Sequence, residues 1–205
     1  MTTHAVEGMS LSADVLDDLA TFALECSHNR LDNPSEYTWD DVHDDITTKA
    51  TAHDLTYLGD GSNRIVFADP KTNGVVKFAL DNEFRTGSEQ NRVEAHIWNT
   101  IPEDYLHRFF PVHSVSDDYN WLVTVEAETT DTDAEFDPEA AVTAIYTQFP
   151  FLDDESEFLL PENLGWLPAY DSYAILDYGS FIPRDFITTV LGYDHLDAIG
   201  ADNIA

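Results

Sequence analysis

Lysine and arginine are the residues that this sequence lacks most. Its 205 residues include only nine Lys and Arg against 40 Asp and Glu, which gives a formal net charge of −31 at pH 7. Proteins that bind nucleic acid through its phosphates need a patch of basic side chains. Nine basic residues are too few for such a patch, so we expect no direct nucleic-acid binding.

Cysteine and long apolar runs are also scarce. Cys26 is the single cysteine, which excludes an intrachain disulfide and leaves the cytoplasm as the default compartment. No apolar run is long enough to span a bilayer, and no basic segment followed by an apolar stretch opens the chain. We therefore expect a soluble protein with no membrane partner.

The acidic residues occur along the whole length of the chain. Charge of this kind repels itself and destabilises the compact state unless salt screens it. Such a composition resembles that of proteins from extreme halophiles, including halophilic archaea, or from their viruses, which implies the cytoplasm of a halophile or a virion. The alternative is a DNA mimic, which usually concentrates its charge on one face. The hydrophobic content of 43% is sufficient for a folded core.

Two helices are predicted in an N-terminal extension, residues 1–54. We expect residues 1–10 to be frayed, with Ser12 capping a first helix that ends near Ser27. A second helix is expected over 38–50, where acids in the first turn suit the helix dipole.

Two acidic segments resemble metal sites, but we interpret one as a solvated acidic face and the other as a linker. His43 lies among Asp41, Asp44 and Asp45, which favours a solvated acidic face. The acids of residues 128–139 alternate as in a calcium loop, but the central glycine is missing and Val142 stands where a glutamate is needed. We interpret 128–139 as a linker.

A β-hairpin is the strongest local signal. Apolar runs at 57–67 and 75–79 flank the turn 69–74, whose Asp, Pro, Asn and Gly residues are typical of a hairpin. Gly59 and Gly61 lie at the start of the first run, where they allow a ligand to approach the backbone closely. A plain hairpin with a glycine bulge is the alternative.

The second run contains one lysine, Lys77, between apolar neighbours. A buried lysine is costly unless an anion meets it. A Gly-x-Gly followed by a strand, a turn and a Val-x-Lys strand resembles the small lobe of the protein-kinase-like fold. In that family the glycine loop covers the nucleotide phosphates and the lysine pairs with them. The resemblance implies that Gly59, Gly61 and Lys77 face ATP.

The segments that follow fit the same small lobe, residues 55–127. A helix is expected over 86–100, and in the family a glutamate of this helix pairs with the strand lysine. We assign that role to Glu94, since Glu89 is nearer the helix start; an ordinary surface glutamate is the alternative.

Two further strands are expected at 109–116 and 120–127. They would complete a five-stranded antiparallel sheet with one helix inserted after the third strand. A reduced, mostly helical large lobe would then occupy 128–205, beginning with a helix over 138–148.

The large lobe contains the second group of candidate site residues. In the family, a Pro-x-Asn segment ends the catalytic loop, and Asp-Phe-Gly after a hairpin supplies a metal-binding aspartate. Asn163 and Asp177 match these positions, with Tyr178 in place of Phe. The resemblance implies that both bind Mg²⁺ and that Asn163 contacts the nucleotide. Two turns around an ordinary hairpin are the alternative.

The catalytic residue of the family is missing. Its aspartate stands five residues before the loop asparagine, a position that Phe158 occupies here. Phenylalanine accepts no proton, and Asp154, Glu155 or Glu157 would serve only as a displaced base. After Gly179 we expect one helix, over 184–191, and no helical platform for a peptide substrate.

The sequence therefore predicts an α+β, kinase-like fold without catalytic residues, and three functions. The first is a pseudokinase-like binding or scaffold module with protein partners, in which binding of ATP and Mg²⁺ is weak or lost. The second is a structural component of a halophilic system, such as a virion, which uses the fold only for packing. The third is a minimal active kinase with a relocated base. We favour the first, because fold alone does not fix function and Phe158 opposes catalysis.

Overall fold

The structure is a computed structural model with both helices and strands. It describes residues 6–127, 136–152, 156–180 and 182–205. Backbone contacts divide the chain into two compact units. Unit 1 comprises Met1–Arg92 and Val112–Glu126, and unit 2 comprises Val93–Pro111 and Ala127–Ala205. The predicted division into 1–54, 55–127 and 128–205 stays a prediction.

A five-stranded antiparallel sheet forms the centre of unit 1, as the sequence predicts. Its strands lie in the order β1-β2-β3-β5-β4, and their bounds are Thr56–Asp60 (β1), Arg64–Asp69 (β2), Gly74–Ala79 (β3), Ser114–Val115 (β4) and Trp121–Val125 (β5). Every residue of the central strand β3 is buried. A helix follows β3 in the chain, as expected.

Two N-terminal helices share one core with this sheet. Helix α1 spans Ala13–Asp32 and helix α2 spans Trp39–Thr51, and α1 packs against β3 and β5. The expected end of α1 near Ser27 is wrong, because the polar residues after it continue the helix on its exposed side. The buried Ser27 hydroxyl donates a hydrogen bond to the Leu24 carbonyl at 2.9 Å.

The expectation of a frayed start is wrong for residues 6–10. Val6 and Met9 are buried in the core of unit 1. The Ser10 amide donates to the Asp69 carboxylate at 2.6 Å, and the Thr72 hydroxyl donates to the Gly8 carbonyl at 2.8 Å. These bonds hold the segment against the β2–β3 turn.

The strand expected over 109–116 is much shorter than predicted. Strand β4 comprises Ser114–Val115, and the flanking His113 and Ser116 amides also donate to β5 carbonyls. Phe109 instead forms a parallel bridge with Ile175, and the Phe110 amide donates to the Ile175 carbonyl at 3.1 Å. The apolar start of the predicted strand therefore belongs to the core of unit 2.

Helix α3 spans Gly87–Thr100, and the boundary between the units falls within it. The remaining helices are α4 (Pro138–Gln148), α5 (Arg184–Phe186), which continues into a π-helical turn (Ile187–Leu191), and α6 (Leu196–Ile199). The helix predicted over 138–148 is confirmed. No helix among the described residues is long and apolar enough to cross a membrane.

A two-stranded antiparallel hairpin completes unit 2. Strand β6 spans Leu164–Leu167 and strand β7 spans Ser172–Ile175. Aromatic side chains from several segments pack together in the core of this unit, namely Phe109, Phe149, Phe158, Tyr178 and Phe186. Of the acidic segment interpreted as a linker, residues 128–135 lie outside the described residues.

Candidate functional site

Gly59 and Gly61 lie in open surroundings at the β1–β2 turn. The Gly61 amide donates to the Arg64 carbonyl at 2.9 Å, and the strand pairing has a bulge between Tyr57 and Gly59. A Cβ atom added at either glycine would meet no described atom within 4 Å. Neither glycine has a positive φ. The packing of the described chain therefore does not require glycine here, and the space admits an approaching ligand.

Lys77 lies in the middle of the central strand. Its strand neighbours are Val66 on β2 and Leu122 on β5, and the residue is only 7% exposed. The Asn91 side chain donates to the Lys77 carbonyl at 3.5 Å and to the Tyr119 carbonyl at 2.9 Å. Lys77 is thus a buried lysine at the centre of the sheet.

Glu94 is buried in α3, with 1% of its surface exposed. The alternative of an ordinary surface glutamate is therefore wrong. Glu89, the other candidate, forms an ion pair with Arg92, in which Nε and Nη2 of the arginine lie 2.9 and 2.6 Å from the two carboxylate oxygens. The pairing of Lys77 with Glu94 stays a prediction.

Asn163 and Asp177 are brought to the same end of the β6–β7 hairpin. Leu164 pairs with Ile175, and the Leu176 amide donates to the Asn163 carbonyl at 2.8 Å. Asn163 therefore stands opposite the residue that precedes Asp177. Both predicted metal ligands are half-buried, so neither is sealed in the core.

Phe158 and Tyr178 are core residues of unit 2. Phe158 is fully buried, and its ring lies 5.2 Å from the Phe186 ring and 6.1 Å from the Phe109 ring. The Tyr178 hydroxyl donates to the Phe110 carbonyl at 2.6 Å. Phe158, which the kinase-like resemblance aligned with the orienting aspartate, therefore serves packing.

The acidic face around His43 is exposed, as the sequence predicts. Asp41, Asp44 and Asp45 are all exposed, and Nδ1 of His43 lies 3.5 Å from a carboxylate oxygen of Asp60. In the part of the chain that the structure describes, no three His, Cys, Asp or Glu residues are grouped to hold a metal. The assignment of Asn163 and Asp177 to Mg²⁺ stays a prediction.

An open pocket of about 570 Å³ lies in unit 1. We call it the Arg30 pocket; its wall includes Arg30, Trp39, His43, Asp60, Glu83 and Phe84, together with Gly61 at the hairpin tip. At its edge the Tyr57 hydroxyl donates to Asp60, and burial together with this bond raises the pKa of Tyr57 to about 12.

Of the residues that line this pocket, the sequence pointed to Gly61 as part of the nucleotide loop and to His43 as part of an acidic face. Neither Arg30 nor Trp39 was predicted to bind a ligand, since Arg30 lies beyond the predicted end of α1 and Trp39 lies at the predicted start of α2. Phe84 gives the clearest signal that was available, because it is a large apolar residue within the polar segment Asp81-Asn82-Glu83-Phe84-Arg85.

Neither a comparison with protein-family models nor one with curated proteins finds a significant match to this chain.

Proposed function

We propose that this chain is a catalytically impaired, kinase-like binding or scaffold module that associates with a protein partner in a high-salt system and binds nucleotide weakly. Two features of unit 1 support the proposal. A helix follows the third of five antiparallel strands, and that third strand contains the buried Lys77. This is the order that the kinase-like small lobe requires.

The observation that carries the proposal is the contrast within unit 2. Asn163 and Asp177, the predicted metal ligands, lie at the same end of a hairpin, which is compatible with both binding one metal ion. Phe158 is sealed among aromatic rings, where a phosphotransferase needs a carboxylate. The chain thus keeps candidate metal ligands and lacks the group that orients the attacking hydroxyl. Loss of such a group typically lowers the rate about 10²–10⁴-fold.

The open surroundings of Gly59 and Gly61 support weak nucleotide binding. In kinase-like proteins the backbone of this loop lies against the phosphates. No described atom of this chain fills that space, so the loop is accessible to a phosphate group. The net charge of −31 opposes the approach of a polyanion, which makes strong binding unfavourable.

A phosphoryl-transfer assay tests the catalytic part of the proposal. The protein and its Asp177→Ala variant are incubated with radiolabelled ATP and Mg²⁺ in multimolar KCl. We expect the two to release or transfer the same background amount of label. Turnover that is present in the unmodified protein and absent from Asp177→Ala would show an active enzyme and overturn the proposal.

Binding of Mn²⁺, a paramagnetic substitute for Mg²⁺, tests the metal site separately. We expect Mn²⁺ to broaden the amide resonances of Leu164 and Ile175 first, and Asp177→Asn to abolish this broadening. Asp171 is a matched control, because it is an exposed aspartate that directly precedes β7 at the other end of the same hairpin. Equal broadening in Asp177→Asn and Asp171→Asn would indicate diffuse binding to the acidic surface and contradict the assigned site.

A further inference from the structure

We propose that the Arg30 pocket binds a small molecule that carries a single carboxylate group on an aromatic body. The pocket lies entirely within unit 1. Its volume of about 570 Å³ is within the range of about 300–1,000 Å³ that is typical of small-molecule sites.

The Arg30 guanidinium supplies the reason to expect an anion. Its Nε and Nη1 atoms are buried, and neither has a hydrogen-bond partner among the described residues. Buried polar atoms are nearly always hydrogen-bonded, and two buried nitrogens of a charged group without hydrogen-bond partners are costly. A carboxylate in the pocket would compensate this charge. A small rotation of the flexible Arg30 side chain would bring its nitrogens within hydrogen-bond distance of the carboxylate oxygens.

Two aromatic side chains supply the reason to expect a ring. The Arg30 guanidinium carbon lies 5.7 Å from the centre of the Trp39 ring, so the cation is held against an aromatic face. Phe84 lines the same pocket and is 88% exposed. Because aromatic side chains gain free energy when they pack against another ring, a ligand with an aromatic body would cover the Phe84 ring while its carboxylate faces Arg30.

The acids of the pocket select the charge of the ligand. Asp60 and Glu83 line the same pocket as Arg30. One carboxylate on the ligand is attracted by the nearby guanidinium, whereas a second negative charge would face these two acids at close range. The pocket therefore suits a monocarboxylate better than a phosphate monoester or a nucleotide.

This site differs from the proposed nucleotide loop. Gly61 belongs to both, but neither Lys77 nor Gly59 lines the Arg30 pocket. The two sites can therefore be tested with different ligands and different variants.

Phenylacetate is a suitable probe, since it joins one carboxylate to one aromatic ring. We would follow ¹H–¹⁵N spectra, including the Trp39 indole, at the lowest KCl concentration that keeps the protein folded. We expect phenylacetate to shift the resonances of Trp39 and of residues 82–85. At equal concentration, phenylacetamide, which lacks the charge, and acetate, which lacks the ring, should cause no such shift.

Variants then assign the two contacts. Arg30→Gln should weaken phenylacetate binding about 10-fold or more, as expected when a hydrogen bond to a charged group is lost. Phe84→Ala should weaken it several-fold without affecting the fold, because the side chain is almost fully exposed. Tyr193→Ala is the matched control, because Tyr193 is 73% exposed and belongs to unit 2, and it should bind phenylacetate normally.

Three results would overturn the proposal: no shift with phenylacetate, an equal shift with phenylacetamide, or normal binding by Phe84→Ala. The last result decides the question even where Arg30→Gln fails to fold. Displacement of phenylacetate by ATP with Mg²⁺ would assign the pocket to the nucleotide and contradict a monocarboxylate site. Absence of ATP binding together with phenylacetate binding would contradict only the proposed nucleotide function.

Discussion

At the scale of single residues, the glycines of unit 1 differ in what surrounds them. Gly74 and Gly87 lie against backbone: an added Cβ would collide with the Gly8 carbonyl at the first position and with the Asn63 carbonyl at the second. Gly59 and Gly61 face open space. The first pair is therefore required by packing, and the second pair is available for a ligand.

Alanine substitutions should separate these two roles. We expect Gly74→Ala and Gly87→Ala each to lower the free energy of unfolding by about 1–3 kcal/mol, the usual cost of overpacking, because backbone cannot move aside easily. Gly59→Ala and Gly61→Ala should leave it within about 0.5 kcal/mol of the unmodified value. Denaturant unfolding in KCl measures all four, and similar losses at the two pairs would contradict the described turn.

Asp69 is a buried carboxylate that joins the N-terminal segment to the β2–β3 turn. Burial alone would raise its pKa, but hydrogen bonds from the Ser10 and Lys71 amides outweigh burial and hold the pKa below its usual value. Because the folded-state pKa is lowered, ionised Asp69 stabilises the fold above the unfolded-state pKa of about 4. This stabilisation is lost as the pH falls through the folded-state pKa.

We therefore expect Asp69→Asn to lower the free energy of unfolding by about 2 kcal/mol at pH 7. The difference between the variant and the unmodified protein should begin to shrink as the pH falls below about 4, the unfolded-state pKa, and should be lost once the pH passes the lowered folded-state pKa, where Asp69 in the folded protein becomes protonated. Asp117→Asn, at an exposed position, is the matched control and should have little effect. Thermal unfolding across this pH range measures both, and a difference that is constant with pH would contradict the assigned role.

At the scale of secondary-structure elements, the starts of α1 and α2 form a natural comparison. Thr38 and Asp41 form a capping box at α2, in which the Asp41 amide donates to the Thr38 hydroxyl at 3.2 Å and the Thr38 amide donates to the Asp41 carboxylate at 2.7 Å. Ser12 occupies the same position at α1, but its side chain makes no cap hydrogen bond.

Thr38→Ala should lower the free energy of unfolding by about 1 kcal/mol, because the α2 start loses its side-chain acceptor. Thr38→Ser should retain most of the stability, since it keeps the hydroxyl. Ser12→Ala should change little, although the sequence predicted Ser12 as the cap of α1. Equal losses in Thr38→Ala and Ser12→Ala, measured by denaturant unfolding, would contradict the structure at α1.

Secondary-structure elements were predicted well from the sequence where neighbouring residues supply the hydrogen bonds that cap them. Helix α4 begins and ends as predicted, because Asp137 accepts hydrogen bonds from the Glu139 and Ala140 amides and Pro138 suits the first helical position. The strand predicted over 109–116 failed because its apolar pattern suits any buried extended segment. Which partner Phe109 takes is decided by Ile175, far along the chain.

The candidate site residues likewise divide into those that local sequence patterns predict and those that depend on residues far apart in the chain. Burial of Lys77 and the position of Asn163 next to a hairpin could be predicted, because short sequence patterns specify both. The Arg30 pocket could not, since it combines α1, α2, the hairpin tip and residues 82–84. No local pattern indicates which arginine will line a pocket with two buried nitrogens that have no hydrogen-bond partner among the described residues.

At the scale of the whole molecule, the net charge of −31 should make folding depend on salt. Repulsion among the acids opposes the compact state, and ions at molar concentration screen it over about 3 Å. We expect the melting temperature, followed by circular dichroism, to rise steeply from dilute buffer to multimolar KCl. Sucrose is the control, because it favours burial without screening charge. Stability that is unchanged at low ionic strength would contradict the halophilic interpretation.

The central claim is that a kinase-like unit still binds a nucleotide at the Gly59–Gly61 loop. The melting temperature in the presence of ATP and Mg²⁺ in multimolar KCl tests this claim most directly. At ten times its dissociation constant a ligand stabilises by about 1.4 kcal/mol, which for a chain of this size raises the melting temperature by about 4 °C. We predict such a rise for the unmodified protein and for Arg30→Gln. Gly61→Ala should lose it, because its methyl group occupies the space that the phosphates need. A melting temperature that ATP and Mg²⁺ leave unchanged, or that rises equally in Gly61→Ala, would contradict the claim.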